Sequence, residues 1–183
     1  MVKIHTESHS QKDLKKKINT TLVGGLYTTI VNSIVWRSQY DIERITKNLH
    51  EFGSQLGEVF YPLLSKIVDP NLIEKKLERY IEEVWKIVFL RKPDKCKWDK
   101  DSNQLVIISK SCELCQNITE PVHFPFSEAI AGFIETIIEF ALEDIGAKGR
   151  FSSSGISCHE SECWAKDGAP YCKFVLARGD ASV

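Results

Sequence analysis

The sequence predicts an α+β fold, with four or five helices packed on one face of a twisted antiparallel β-sheet. Within residues 14–92, apolar residues recur at intervals of three and four, which is typical of amphipathic helices. Residues 95–110 and 150–178 each hold two short segments separated by turn residues, which predicts two hairpins. A strongly apolar helical pattern lies between them. The order helices, hairpin, helix, hairpin favours helices on one face of a small sheet.

The first predicted helix carries an apolar stripe with one member every four residues. Gly24 and Gly25 lie inside it and would weaken the helix unless a neighbour approaches there. The pattern predicts a helix that faces the core. The members of the stripe are Leu14, Ile18, Leu22, Leu26, Ile30 and Ile34.

The second predicted helix repeats this pattern from Ile42 to Ile67. Gly53 and Gly57 stand one turn apart on one face, where two small residues allow another backbone to come close, so we expect helix–helix packing there. Pro62 predicts a kink or an end of the helix, because proline lacks the backbone N–H.

The third predicted helix covers "LIEKKLERYIEEVWKIVFLRK", residues 72–92. The preceding Asp69-Pro70-Asn71 predicts a turn and an N-cap. Its apolar residues fall on one side, with charged residues opposite. The pattern therefore predicts a single amphipathic helix that packs on the core.

The second half of the chain begins with "KCKWD" and "NQLVIISK", which flank a turn-rich tetrapeptide and predict a β-hairpin. A loop with "CELC" follows. Then "PFSEAIAGFIETIIEFALEDIG" predicts an apolar helix that ends near Gly146. The last segments, "RFSSSGISCHESECW" and "YCKFVLAR", predict two strands joined by the turn "AKDGAP".

Composition indicates one domain. Of the 183 residues, 43% are hydrophobic, which suffices for a core. We assign residues 1–12 to a flexible N-terminal lead, 13–178 to a single α+β domain and 179–183 to a C-terminal tail. The net charge of −1 gives no electrostatic reason to expect a nucleic-acid partner.

No transmembrane segment is expected, because no apolar run reaches 18 residues. The N-terminus "MVKIHTESHSQKDLKKK" lacks the apolar segment of a signal peptide. We therefore expect a cytoplasmic protein, in which thiols stay reduced.

Four of the six cysteines form two short pairs, which predicts a structural zinc site. Cys112 and Cys115 make a CxxC in a loop, while Cys163 and Cys172 flank a hairpin turn. Tetrahedral Zn²⁺ needs two such pairs brought together by the fold. Cys96 is expected to be a core residue.

Three further residues, His123, Cys158 and Glu160, are alternative zinc ligands. On an ideal strand Cys158 and Glu160 share one face, while Cys163 points to the other. Only two of these three can therefore converge unless the strand contains a bulge.

Other uses of the cysteines are less favoured. A reducing compartment disfavours structural disulfides. A redox CxxC needs its first thiol at a helix N-terminus, and Pro121 and Pro125 separate "CELC" from the next helix. No P-loop, GxGxxG, GxSxG or HExxH motif occurs, so the sequence gives no catalytic residues and no reason to expect an enzyme.

The C-terminal segment "ESECWAKDGAPYCKFVLAR" resembles the closing motif of 4-vinyl reductase-type domains. The segment "EPVHFPFSEAIAGFIETII" resembles that family's helix entry, with His123 near the place of a family cysteine, and "CELC" resembles a segment of archaeal members. The segments "LVGGLYTTIV" and "LHEFGSQLGEVF" resemble the first two helices of the related TRAPP (transport protein particle) subunits. The resemblance covers most of residues 14–178.

This resemblance implies a TRAPP-subunit-like fold that is often dimeric and holds a hydrophobic small-molecule pocket between helices and sheet. It also implies a zinc site formed by Glu160, Cys163 and Cys172, with His123 in place of a cysteine. The set Cys112, Cys115, Cys163 and Cys172 is its rival, and a mixed set is open. Aromatic residues near the apolar helix are the candidate ligand-binding residues: Phe124, Phe126, Phe133 and Trp164.

Two functions follow. The first is a non-enzymatic sensor or carrier module that binds a hydrophobic small molecule and is stabilised by structural zinc. The alternative is a TRAPP-like assembly subunit of a vesicle-trafficking-type complex, which acts as a homodimer or with related subunits. Paired glycines and the apolar breadth of the first two helices favour the alternative.

Overall fold

The computed structural model of the chain describes residues 24–110, 112, 114–115, 118, 121–147 and 155–178. The predicted lead 1–12, the start of the first helix at Leu14, the tail 179–183 and the beginning of the third predicted strand lie outside these residues. The elements are α1 (24–37 of the described part), α2 (Ile42–Leu64), α3 (Leu72–Lys75), α4 (Leu77–Phe89), β1 (Lys95–Asp99), β2 (Gln104–Ser109), α5 (Glu128–Asp144), β3 (Ile156–Glu162), α6 (Trp164–Asp167) and β4 (Cys172–Arg178).

The predicted α+β fold is confirmed. The four strands among the described residues form one antiparallel sheet in the order β1-β2-β4-β3. Both hairpins, β1–β2 and β3–β4, lie where the sequence predicts them, and β2 pairs with β4 in the middle. The turn of the second hairpin contains the one-turn helix α6, which ends at Gly168 with a φ of 65°. Glycine adopts this left-handed conformation without steric cost.

Helix α2 starts at an N-cap and runs past its proline. The Asp41 side chain accepts a hydrogen bond from the backbone N–H of Arg44 at 2.9 Å. Pro62 does not break the helix, which ends at Leu64. The proline lies in the last turn, so it removes a backbone bond only where the helix is about to end.

The prediction that residues 72–92 form a single helix is wrong. Its backbone breaks at Lys76, whose φ of −158° and ψ of 87° are extended, and the chain forms the short α3 and then α4. The apolar spacing continues across the break because Ile73 and Leu77 are both buried, so periodicity does not reveal it. Asn71 occupies the N-cap without a side-chain cap bond; its backbone N–H instead donates to Asp69 Oδ1 at 3.0 Å.

Helix α5 is the central element of the core. Helices α4 and α5 pack against the sheet, with Trp85 of α4 on Phe174 of β4 at a ring-centroid distance of 5.9 Å. Helix α2 packs on α5, so α5 is buried on more than one side. This position explains why its sequence is apolar on several faces rather than along one stripe.

The predicted close approach at Gly53 and Gly57 is confirmed, and its partner is α5 of the same chain. A Cβ added at Gly53 would overlap the carbonyl oxygen of Ala129, and one at Gly57 would lie 2.8 Å from Thr136 Cβ. Gly132 of α5 makes the reciprocal contact with the backbone of α2. This glycine face is therefore used inside the subunit and is not available for dimerisation.

Candidate metal centre

Five predicted ligand residues meet at one end of α5. Cys112 and Cys115 come from the loop after β2. Glu160 and Cys163 come from the end of β3, and Cys172 opens β4. All five are buried. The fold thus gathers residues that are far apart in sequence into one buried, acidic cluster.

The donor atoms lie at distances that suit a shared metal ion. The Sγ atoms of Cys112, Cys115 and Cys172 all lie within 4.8 Å of one another, and Cys115 Sγ is 3.5 Å from Cys172 Sγ. A carboxylate oxygen of Glu160 and the Sγ atoms of Cys163 and Cys172 form a second group with the same limit. Cys172 belongs to both groups and is the centre of the cluster.

A β-bulge brings Glu160 and Cys163 to the same side. In the β3–β4 ladder Glu160 pairs with Phe174, while Glu162 pairs with Lys173, so the register shifts between them. Such a bulge re-aims the side chains that follow it. The structure thereby converges Glu160 with Cys163 and leaves Cys158 out, which the sequence alone did not decide.

Ser127, at the start of α5, lies in the middle of the cluster. Its Oγ is 2.9 Å from Cys115 Sγ, 3.2 Å from Cys112 Sγ and 3.7 Å from Cys172 Sγ. Its backbone N–H donates to Glu160 Oε2 at 2.8 Å. The other carboxylate oxygen, Glu160 Oε1, is buried and has no hydrogen-bond partner among the described residues. Sequence reasoning missed Ser127, since a serine before a helix indicates only an N-cap.

The acidic groups of the cluster compete for protons. Side-chain hydrogen bonding with Cys115 lowers the pKa of Cys112 and of Cys163. Hydrogen bonding with Cys112 raises the pKa of Cys115 and of Cys172. Burial, followed by the charges of neighbouring thiols, raises the pKa of Glu160. Five acidic groups in one buried place cannot all ionise unless a cation neutralises them.

The donor set fits zinc. Thiolate sulfur and carboxylate oxygen are zinc ligands, and a buried cluster without an open position is typical of a structural site. The unsatisfied Glu160 Oε1 is the kind of buried polar atom that a metal ion would complete. The residues that would hold the ion are drawn from Cys112, Cys115, Glu160, Cys163 and Cys172.

The other candidates lie apart from this cluster. His123 is exposed and belongs to neither group of donor atoms. Cys158 is buried, and its backbone N–H donates to Glu135 Oε2 at 2.7 Å. Cys96 is half-buried, with its thiol 3.5 Å from the carbonyl oxygen of Glu78. The structure thus places Cys112 and Cys115, rather than His123, beside the residues that the resemblance implied.

The predicted ligand-binding aromatics do not share one cavity among the described residues. Phe126 is buried against Tyr27, Phe124 packs beside Phe126, and Trp164 is 40% exposed. Phe133 lines an apolar cavity between α4 and α5 of about 10 Å³, room for about one water molecule. A hydrophobic ligand at these residues stays a prediction.

A second, partly buried charge cluster connects α2, α5 and β3 next to the metal centre. His50 Nδ1 of α2 is 2.9 Å from Glu128 Oε1 of α5, and His50 Nε2 is 3.5 Å from Glu135 Oε2. Glu128 Oε2 also accepts the backbone N–H of Glu160 at 2.8 Å. Sequence reasoning missed this cluster; the signal was the position of Glu128 and Glu135 beside apolar residues of α5, where a carboxylate that is removed from water needs a partner.

Comparisons with known proteins agree with the fold. Residues 24–167 match the family described as "Transport protein particle (TRAPP) component". A crystal structure of trafficking protein particle complex subunit 3 from Naegleria fowleri, covalently bound to palmitic acid, superposes with a TM-score of 0.73 at 17% sequence identity. The alignment covers 90% of this chain and 97% of that one. Comparison with curated proteins gave no significant match. The resemblance to 4-vinyl reductase-type domains stays a prediction.

Proposed function

Since the chain belongs to the TRAPP component family, we propose that it is a non-enzymatic assembly subunit of a TRAPP-like, vesicle-trafficking-type complex. Family membership supports this function over the sensor module that the sequence first suggested. No helix in the part of the chain that the structure describes combines the length and the apolarity needed to cross a bilayer. We infer that assembly uses an exposed surface of the chain.

The observation that carries this proposal is an exposed apolar stripe at the C-terminal end of α2. It comprises Val59, Phe60 and Leu63 of α2, together with Ile67 in the turn that follows the helix. Val59 and Ile67 are each 69% exposed. A contiguous apolar surface of this kind marks a protein–protein contact. We assign it to a second copy of the chain or to a related subunit.

Light scattering of the purified chain at high concentration tests this assignment. We expect a dimer or a larger assembly, and we expect Leu63→Glu to give monomers, because a charge in the centre of the stripe must be desolvated on association. Leu90→Glu is the matched control. Leu90 is an apolar residue at the end of α4 and is 71% exposed. Its neighbour Arg91 donates from Nη2 to Ser109 Oγ at 2.7 Å, which places Leu90 beside β2 rather than in the stripe. A wild-type chain that stays monomeric would contradict the assignment of the stripe to a second copy of the chain.

We also propose that the subunit holds a structural zinc ion at the cysteine cluster. The ion would join the loop after β2, the start of α5 and the β3–β4 hairpin, and so close this end of the molecule. Cys163 and Cys172 take part in every ligand set considered. The support is the convergence of five buried donors with one unsatisfied carboxylate oxygen. The role is stabilisation rather than catalysis.

Elemental mass spectrometry of protein purified without chelator tests the zinc site. We expect one zinc ion per chain, lost in Cys163→Ser and in Cys172→Ser and kept in Cys96→Ser. If the free zinc concentration is about a thousand times the Kd, loss of the metal lowers the free energy of unfolding by about 4 kcal/mol. That corresponds to a fall in Tm of roughly 10 °C for a chain of this size. Metal-free wild-type protein, or zinc retained in both site variants, would refute the site.

A further inference from the structure

Ser127 occupies the N-cap of α5 but does not cap it. A serine at this position ordinarily accepts a hydrogen bond from the backbone N–H two or three residues on, which satisfies one of the free donors of the first turn. The Ser127 side chain makes no such bond. Its hydroxyl is directed at the thiols of Cys115 and Cys112, at 2.9 Å and 3.2 Å.

The same residue also orients the carboxylate of the cluster. The Ser127 backbone N–H donates to Glu160 Oε2 at 2.8 Å, which leaves Glu160 Oε1 without a partner among the described residues. Glu160 is more than nine-tenths buried and Ser127 is completely buried. One residue therefore contacts four of the five donor residues, by its side chain for three cysteines and by its backbone for the glutamate.

We propose that Ser127 is the positioning residue of the metal centre. This inference rests on the proposed zinc site and adds to it a residue that does not itself bind the ion. A hydroxyl carries one proton, which it can donate to one metal-bound thiolate at a time, and Cys115 Sγ is the sulfur nearest to the Ser127 hydroxyl. Such a bond fixes the thiolate orientation and draws charge from the sulfur, as outer-shell partners do in metal sites.

The hydroxyl can be removed without disturbing the start of the helix. Glycine is an acceptable N-cap residue, and Ser127→Gly keeps the backbone N–H that holds Glu160. Ser127→Thr keeps a hydroxyl and is the conservative rescue. Ser54→Ala is the matched control: Ser54 Oγ lies at the α2–α5 contact, 3.2 Å from the His50 carbonyl oxygen, and it contacts none of the five donor residues.

The experiment is a titration of the full chain with Zn²⁺ against a competing chelator, with Co²⁺ as a spectroscopic probe. In Ser127→Gly we expect the Zn²⁺ affinity to fall about tenfold to a hundredfold, the range measured for outer-shell partners. We also expect the sulfur-to-cobalt charge-transfer band to shift, since an O–H···S bond is lost. Ser127→Thr should restore both values, and Ser54→Ala should change neither.

The outcomes separate this inference from the zinc proposal. A wild-type chain that binds neither ion refutes the zinc site and this inference with it. A wild-type chain that binds zinc, together with an unchanged affinity and an unchanged cobalt band in Ser127→Gly, refutes the role of Ser127 alone. Loss of binding in Ser127→Thr as well as in Ser127→Gly refutes the hydroxyl as the cause. A shifted cobalt band that threonine restores supports it, because a merely structural serine would not affect that band.

Discussion

At the scale of single residues, His50 shows how a partly buried ion pair makes stability depend on pH. Hydrogen bonds to Glu128 and then to Glu135 raise the pKa of His50 to about 9. The unfolded chain has a histidine pKa of about 6.5. The folded state therefore binds the proton more tightly. The resulting stabilisation is complete below about pH 6.5 and is lost as the pH rises towards 9.

The pH prediction is the difference between the wild type and His50→Gln. We expect wild type to be more stable by about 2–3 kcal/mol at about pH 6 and by much less at about pH 9.5. This value is set below the one that the full pKa difference would give, because the His50 side chain is 26% exposed and water screens the ion pair. Urea unfolding of both proteins at the two pH values measures it. Parallel pH dependence in the two proteins would contradict it.

At the scale of elements, three glycines decide how closely α2 and α5 approach. The spacing of Gly53 and Gly57 predicts a close helix contact, and the structure shows that the partner is α5. Gly132 went unnoticed because it lies within an apolar pattern that predicts only burial. An added Cβ there would overlap the carbonyl oxygen of His50 and would lie 3.1 Å from the backbone nitrogen of Ser54.

Substitution of these glycines by alanine tests the contact. Gly132→Ala should destabilise the chain by about 3 kcal/mol or more, because backbone rather than a flexible side chain must move. Gly25→Ala is the control: no heavy atom lies within 4 Å of an added Cβ, and Gly25 lies in a helix. It should stabilise by about 0.5–1 kcal/mol. Urea unfolding gives both values; equal effects would show that close packing is not the cause.

What the sequence predicts well is what depends on local pattern. Alternation and turn residues predict β1, β2 and β4 to within a residue of their bounds, whereas β3, described as Ile156–Glu162, is much shorter than the predicted segment 150–164. The break at Lys76 escapes prediction because the apolar spacing runs across it. The bulge between Glu160 and Glu162 and the turned hydroxyl of Ser127 depend on contacts with distant segments. Local sequence pattern predicts neither the bulge nor the orientation of this hydroxyl. The sequence therefore identifies the candidate ligand residues but not which of them lie together.

At the scale of the whole molecule, the metal centre and the exposed apolar stripe lie at opposite ends of α5. Ser127 marks one end, while at the other Tyr61 of α2 donates to Asp144. A helix of 17 residues spans about 25 Å. Leu63→Glu should therefore abolish association without changing the zinc content. Measuring both properties on the same samples tests this independence, and zinc lost from the Leu63 variant would contradict it.

The central pairing of β2 with β4 also determines the order in which the hairpins and the cysteine cluster form during folding. In this ladder Ser109 lies opposite Cys172, so the two hairpins must first meet across all of α5 and the segments around it. Closing the long segment between β2 and β4 lowers the entropy of the chain before any stabilising contact forms, and this slows folding. Each hairpin can form early by itself, but the thiols of both halves converge only when this last ladder closes. Binding of the proposed zinc ion would therefore come late and would stabilise a sheet that is already assembled, rather than start its folding.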